Sequence, residues 1–386
     1  MPKLATREAC TGCAACRGIC PANCIEMETD PFGFAYPAVN ASACIDCGLC
    51  SAHCPVLAAP MREAPAPAAY AAWSLDGTIR EESSSGGVFS ELAAEILGKS
   101  GVVYGAAYDN TFSVVHIAVE SIDRLHRLRG AKYAQSRMGD LFPEIRKRLD
   151  AGQQVLFSGT PCQVAGLKSF LERDPDNLIT VDFICHGVPS PMAWKAFVEY
   201  RAAEDADGRM PAEINLRSKK TGWSRYRYSN RFAYADGSEY SALSSESLYM
   251  RLFVGDYILR SSCGECRFKG LSRVSDITLG DFWGIWDVDP EMDDDKGTSA
   301  VLVHSARGRE LLASIEDRLR IRQLRPEDIA AQNPSLLRSS SLKPESRAVL
   351  QRIREEGIDA CRALVDGPSR SLADRLKRAI KRHLIG

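Results

Sequence analysis

The sequence predicts an α/β core, a mixed sheet flanked by helices, behind a small cysteine-rich head. Two patterns carry that expectation. From about residue 80 onward, apolar segments of strand and helix type alternate. Ahead of them, nine of the fourteen cysteines fall between Cys10 and Cys54. The 386 residues leave room for roughly two or three domains. A composition of 45% hydrophobic and 26% charged residues is ordinary for a globular protein. The 49 Lys+Arg balance 50 Asp+Glu, so no overall basic field points to nucleic acid.

The head contains an internal repeat. Cys10-x2-Cys13-x2-Cys16-x3-Cys20-Pro21 recurs as Cys44-x2-Cys47-x2-Cys50-x3-Cys54-Pro55, offset by 34 residues. Two copies read as a pseudo-two-fold duplication, since a solenoid needs more. Cysteines at i, i+3 and i+6 let one tight loop supply three thiolates to a cubane. The fourth, before a proline, reaches the other cluster in two-cluster ferredoxins. The spacing therefore predicts a bacterial-type two-[4Fe-4S] ferredoxin domain over residues 1–57. One cluster would sit on Cys10, Cys13, Cys16 and Cys54, the other on Cys44, Cys47, Cys50 and Cys20. Zinc is the alternative, but it favours separated cysteine pairs around one ion. Cys24 is surplus and reads as a packed thiol. His53, inside the second motif, reads as packing or solvated. Residues 58–79, with Ala64-Pro65-Ala66-Pro67, read as an Ala/Pro-rich linker.

The core elements follow in order. Val88, Phe89, Leu92, Ala93, Ile96 and Leu97 recur at helical spacing, and Gly98 and Gly101 stop the helix. Residues 102–104 and 114–119 read as strands. Residues 142–149 read as a helix with proline in its first turn. Residues 155–157 read as a buried strand, 164–171 as a helix and 178–184 as another strand. Short strands are expected at 214–216, 231–234, 277–279 and 300–303, with a helix over 248–259. The last ~80 residues look largely helical. We divide the core at 80–185 and 186–340, followed by a helical tail over 341–386.

Five cysteines lie outside the head. Cys162 follows a strand at a strand-to-helix turn, and Cys185 ends the next strand. Such strand ends face the ligand crevice of an open α/β sheet. A loop bearing the Cys263-x2-Cys266 pair could complete four ligands there. Scattered buried thiols are the alternative on these residues alone.

At these motifs the chain resembles the coenzyme F-420 hydrogenase/dehydrogenase beta subunit family, in its bacterial branch with an N-terminal two-cluster ferredoxin domain. The resembling features are Ser84-Ser85-Gly86-Gly87, Leu128-Arg129-Gly130-Ala131-Lys132-Tyr133, Ser158-Gly159-Thr160-Pro161-Cys162-Gln163, Cys185-His186-Gly187, the pair at 263–266, and Ser275 to Gly284. The resemblance implies FAD and a third [4Fe-4S] cluster, with Cys162, Cys185, Cys263 and Cys266 as its ligands. Methanogen relatives reduce a deazaflavin coenzyme, and plant and cyanobacterial relatives reduce chlorophyll-pathway compounds with ferredoxin. Other bacterial relatives occur with polysaccharide-synthesis genes. The fused head departs from the simple hydrogenase subunit.

The expected function is therefore an iron–sulfur flavoprotein oxidoreductase, moving electrons between ferredoxin-type clusters and FAD to reduce or oxidise a small metabolite. The alternative is an electron-transfer subunit serving a partner hydrogenase or dehydrogenase, or a deazaflavin reductase. No G-x-G-x-x-G fingerprint supports a Rossmann NAD site. Ser84, Ser85, Gly86 and Gly87 before a helix make a candidate flavin-phosphate cradle, with an ordinary N-cap loop as the bland alternative. Arg129 and Lys132 are candidate cations for phosphate or reduced flavin. His186, beside Cys185, is a candidate proton donor or a group orienting the cluster. Asp281 is a candidate crevice carboxylate or a turn former. Arg217, Lys219, Lys220, Arg225 and Arg227, interleaved with Trp223, Tyr226 and Tyr228, bind an anion or pack on aromatics. The acidic run from Asp287 to Asp295 reads as a solvated loop.

The expected partners are a redox carrier such as ferredoxin and a small-molecule substrate. Residues 369–386 form a basic amphipathic pattern that could dock to an anionic membrane surface, to another protein or back onto its own domain. No signal-peptide pattern and no apolar run of ~18–20 residues is seen. The expected location is cytoplasmic, or peripheral at the inner face of the membrane if the basic tail docks there.

Overall fold

The computed structural model describes residues 2–57 and 65–366. The basic pattern at 369–386 lies outside the described residues. The head consists of helix α1 (Ala15–Ile19), strands β1 (Ile25–Thr29) and β2 (Ala35–Val39), and helix α2 (Leu49–Ala52). The strands pair antiparallel, Ile25 opposite Val39. The duplication is legible in the backbone. Gly12 and Asp46, 34 residues apart, both adopt positive φ (70° and 50°), as do Ala14 and Gly48 (66° and 75°). Each motif thus bends the chain the same way on both sides of its second cysteine.

The core opens with β3 (Ala68–Ser74), α3 (Gly77–Glu82), α4 (Val88–Gly98), β4 (Val102–Tyr108), β5 (Val114–Val119), α5 (Leu141–Asp150), β6 (Val155–Ser158), α6 (Pro161–Leu171) and β7 (Leu178–Phe183). It continues with α7 (Pro191–Ala206), β8 (Glu213–Ser218), β9 (Ser229–Ala233), β10 (Glu239–Leu243), α8 (Leu248–Val254), β11 (Ile277–Asp281), β12 (Ser299–Val303) and β13 (Leu319–Leu324). Eight strands form one sheet in the order β13-β3-β12-β11-β7-β6-β4-β5. The four in its middle run parallel and both flanks antiparallel, so the sheet is mixed. Strands β8, β9 and β10 form a smaller sheet of their own.

The central strands read as continuous apolar runs because both faces are covered. On one face Val103, Leu156 and Val181 pack with Leu92 and Ile96 of α4. On the other, Tyr104 and Phe157 pack with Ile145 of α5 and Val164 and Leu167 of α6. Thr160 closes a capping box with Gln163 at the start of α6, and Pro161 occupies its first turn.

Strands β3 and β13 differ from expectation. Residues 68–74 continue no linker: β3 lies between β12 and β13. Its alanines hide the strand in the sequence, because alanine is a poor strand former. Here small side chains are what the buried position takes, with Ala69, Ala71 and Ala72 at most 1% exposed. β13 is an edge strand inside a stretch that looked helical, and its basic and apolar residues alternate. The helix expected over 248–259 ends at Val254, before Gly255. The acidic run is exposed in part, as a solvated loop would be, but it also ties elements together. Asp294 pairs with buried Arg80, and Asp295 Oδ1 accepts from Trp223 N at 2.8 Å. Among the described residues no helix is long and apolar enough to cross a membrane.

Candidate functional site

Thirteen of the fourteen cysteines gather into three sets, and Cys361 packs apart from them beside Val349 and Ile358. Cys20, Cys44, Cys47 and Cys50 line one small cavity at the outer end of the head, together with Cys24. Cys24 Sγ lies 3.4 Å from Cys20 Sγ. Cys10, Cys13, Cys16 and Cys54 form the second set. Burial pushes the Cys13 thiol up to about 12, and the neighbouring thiols Cys10 and Cys54 add to the shift. Cys16 is raised for the same reasons. This set abuts the core. A Cβ built on Gly166 of α6 would come within 2.8 Å of Cys13 Cβ and 2.9 Å of its Sγ.

The third set comes from three places in the core. Cys162 sits in the first turn of α6, Cys185 just beyond β7, and Cys263 and Cys266 on the loop after α8. All four line one cavity of about 30 Å³. Burial raises Cys162, Cys185 and Cys263, and Cys185 feels the other three thiols. The protein also aims polar groups at the sulfurs. Val188 N donates to Cys263 Sγ at 3.3 Å, and Thr160 Oγ1 lies 3.1 Å from Cys162 Sγ. Such bonds tune an iron–sulfur centre. In each set the donors are thiols alone, a soft set that suits iron–sulfur clusters. Among the described residues no three His, Cys, Asp or Glu side chains group to hold a single metal ion.

A larger cavity of about 1220 Å³ begins at Cys162 and Cys185 and runs to the loops before α4 and α5. Drug-sized pockets occupy ~300–1,000 Å³, so this one has room for a dinucleotide and a further small molecule. Ser84, Ser85, Gly87, Arg129, Lys132, His186 and Asp281 all line it. Their availability differs. Ser85 Oγ donates to Thr298 O at 2.8 Å, and Gly86 N donates to Ser299 Oγ at 3.0 Å, so those two groups tie the loop to β12. What remains is the start of α4. Gly87 enters it at φ 87° with no side-chain cap, and Val88, Phe89 and Ser90 of its first turn line the cavity with it.

Arg129 bonds Ser90 Oγ at 3.1 Å and pairs with Glu82, so its charge is balanced internally. Lys132 is different. Its Nζ donates to Arg129 O at 2.6 Å and Gly130 O at 3.2 Å, and burial pushes its ammonium down to about 7. His186 is pinned, with Nε2 2.7 Å from Asp256 Oδ1 and Nδ1 3.3 Å from Ser335 Oγ, its ring against Phe253. Burial pushes its pKa down, against the pull of Asp256. Asp281, at the end of β11, holds Arg217 at 2.9 Å. Burial raises its pKa and Arg217 opposes the rise. The Arg217 guanidinium lies over the rings of Tyr228 at 3.9 Å and Trp283 at 4.9 Å, so aromatic packing and the cavity wall coincide.

Other cavity residues carried no signal in the sequence. His116 faces the cavity from β5, stacked on Phe157, and Nε2 donates to Ser158 O at 3.0 Å. Burial pushes its pKa down to about 4. Buried Asp182, at the end of β7, is pushed up to about 6, opposed by Arg273 at 3.6 Å. Each is a polar residue in a largely apolar strand, indistinguishable in sequence from an ordinary buried one.

Among the comparisons with known proteins, the family models identify a family. Models for the beta subunit of coenzyme F420 hydrogenase/dehydrogenase match residues 69–142 with the N-terminal part and residues 152–328 with the C-terminal part. A 4Fe-4S dicluster domain matches residues 9–58. No curated protein matches the chain. Among solved structures, a chain of the F420-reducing [NiFe] hydrogenase complex from Methanosarcina barkeri is similar at 16% identity and a TM-score of 0.49, over 76% of this chain and 95% of that one. The two family models account for most of the core, and the dicluster domain accounts for the head. The chain belongs to the coenzyme F420 hydrogenase/dehydrogenase beta subunit family, with a 4Fe-4S dicluster domain at its N-terminal end.

Proposed function

We propose that the protein is a three-cluster, FAD-dependent oxidoreductase that takes electrons from an external carrier such as ferredoxin and delivers them to a small metabolite. One observation carries this reading: of the four core cysteines around one small cavity, Cys162 and Cys185 also border the 1220 Å³ cavity, and Cys162 lies within electrostatic reach of Cys13 in the head's inner set. When bound, clusters pass single electrons and a flavin can collect two and release them as a hydride. The chain supplies the rest. Outer-set Cys47 is exposed, which suits entry of electrons from a carrier. The α4 amides and Lys132 would hold an anionic phosphate or reduced ring. Arg217 and Asp281 fix the polarity of the far wall. His186, held by Asp256 and Ser335, orients the strand end that bears Cys185 rather than swinging freely as an acid.

The cysteine and flavin assignments are tested together by anaerobic purification with iron, sulfide and flavin quantification. About twelve irons and one FAD per chain are expected. About eight irons would remove the core cluster, and protein without flavin would move the reading to an electron-transfer subunit.

A further inference from the structure

Among the described residues, the seam between head and core holds a buried charge with no acid within ion-pair distance. Arg260, three residues before Cys263, is 1% exposed. Its Nε donates to Cys10 O at 2.7 Å, Nη1 to Gln135 Oε1 at 2.8 Å and Nη2 to Ala35 O at 3.0 Å. The guanidinium lies 4.1 Å from the centre of the Tyr36 ring. Its backbone is fixed as well: Arg260 N donates to Val188 O, and Arg260 O accepts from Cys263 N. Every hydrogen-bond acceptor found for the side chain among the described residues is a neutral carbonyl or amide oxygen.

An uncompensated buried cation is expensive, so its position calls for a reason. The reason offered by the geometry is what lies on either side. Cys10 belongs to the head's inner cysteine set, and Arg260 lines the cavity of the core set. Its charge reaches the Cys162 and Cys263 thiols. Four thiolates around a [4Fe-4S] cluster leave a net negative charge, which a fixed cation nearby would offset. Net charge is one of the levers that set a cluster's potential. A guanidinium, unlike an ammonium, stays charged when buried and can serve three acceptors in one plane.

We propose that Arg260 is a positioning residue for electron transfer between head and core. It clamps the Cys10 loop to the Cys263 loop, and its permanent charge raises the reduction potentials of the two clusters it lies between, relative to the outer head cluster. The proposal rests on the reading of those cysteine sets as [4Fe-4S] sites.

The test uses the full chain, loaded anaerobically, with midpoints read by EPR-monitored potentiometric titration. Arg260→Gln at full iron content should lower two of the three midpoints and leave the third in place. Gln135→Glu sets a carboxylate against Nη1 while the guanidinium remains. It should lower the same two midpoints, and it decides the matter if Arg260→Gln does not take up full iron. Unchanged midpoints in both variants would overturn the proposal. So would an equal shift of all three clusters. A wild-type chain holding well under about twelve irons would instead overturn the cluster reading itself.

Discussion

Lys132 lines the cavity with its ammonium bonded to carbonyl oxygens of its own loop, and burial brings its pKa to about 7. An anionic ligand that pairs with it needs the charged form. Below pH 7 the free protein already supplies that form. Above pH 7 each unit of pH costs the ligand the work of reprotonating the lysine. The dissociation constant for FAD should therefore be flat below about pH 7 and rise above it, by up to about tenfold per unit, until the pKa of the complex is reached. Titration calorimetry of apoprotein at several pH values measures this. Lys132→Met should remove the slope, and a slope that survives the substitution would take Lys132 out of the site. Lys132 could be nominated from sequence because it stands in a short glycine-containing motif. Arg260 could not, since its partners Gln135 and Cys10 lie 125 and 250 residues away. The cysteines of the head were the most legible residues of all. Cluster geometry imposes a local spacing on the chain, whereas a guanidinium clamp imposes none.

At the scale of elements, α6 does two things at once: it presents Cys162 from its first turn and lays Gly166 against Cys13. In an exposed helix interior, alanine would be favoured over glycine by about 1 kcal/mol. At position 166 an added Cβ would stand 2.8 Å from Cys13 Cβ, nearer than side-chain carbons pack. Overpacking of this kind costs about 1–3 kcal/mol, so the clash should win. Gly166→Ala is expected to lower the urea midpoint and to reduce iron bound at the inner head set. An unchanged iron content with higher stability would show that the helix has slack there. Gly86 is held more tightly still. Its Cβ would meet Ala72 O at 2.3 Å and Ser299 N at 2.8 Å, in the backbone of β3 and β12. Gly86→Ala should therefore destabilise the chain by at least as much, on the same urea assay. The parallel centre of the sheet was legible because burial on both faces leaves unbroken apolar runs. β3 was not, because alanine-rich sequence beside prolines looks like linker until its neighbours are known. β13 was missed because an edge strand with alternating arginines offers half a pattern, and helices flank it.

The head and core behave in the structure as one packed object, and this is where the whole molecule departs from a carrier tethered to an enzyme. Phe34 and Tyr36 join the same apolar cluster as Trp194 and Tyr249, and Ala14 and Ala15 join Phe142 and Val164. Val56 packs with Ala165 and Phe268. Polar ties add to these contacts: Ser190 Oγ donates to Phe32 O at 2.6 Å, Ser169 Oγ donates to His53 O at 2.8 Å, and His53 Nε2 lies 3.2 Å from Glu172. His53, which looked like a packing or solvated residue in sequence, is one of these fastenings. A flexible tether alone supplies an effective concentration of order mM, so a weakly docked head would leave once the tether is cut. A head held by its own contacts would stay. A protease site placed within residues 58–64 separates these cases. After complete cleavage of the cluster-loaded protein, the two pieces should elute together from a sizing column at micromolar concentration, and the absorbance of the head should travel with the core. Elution as two species would mean that the seam is held by the chain connection, and Arg260 would then be a clamp in name only.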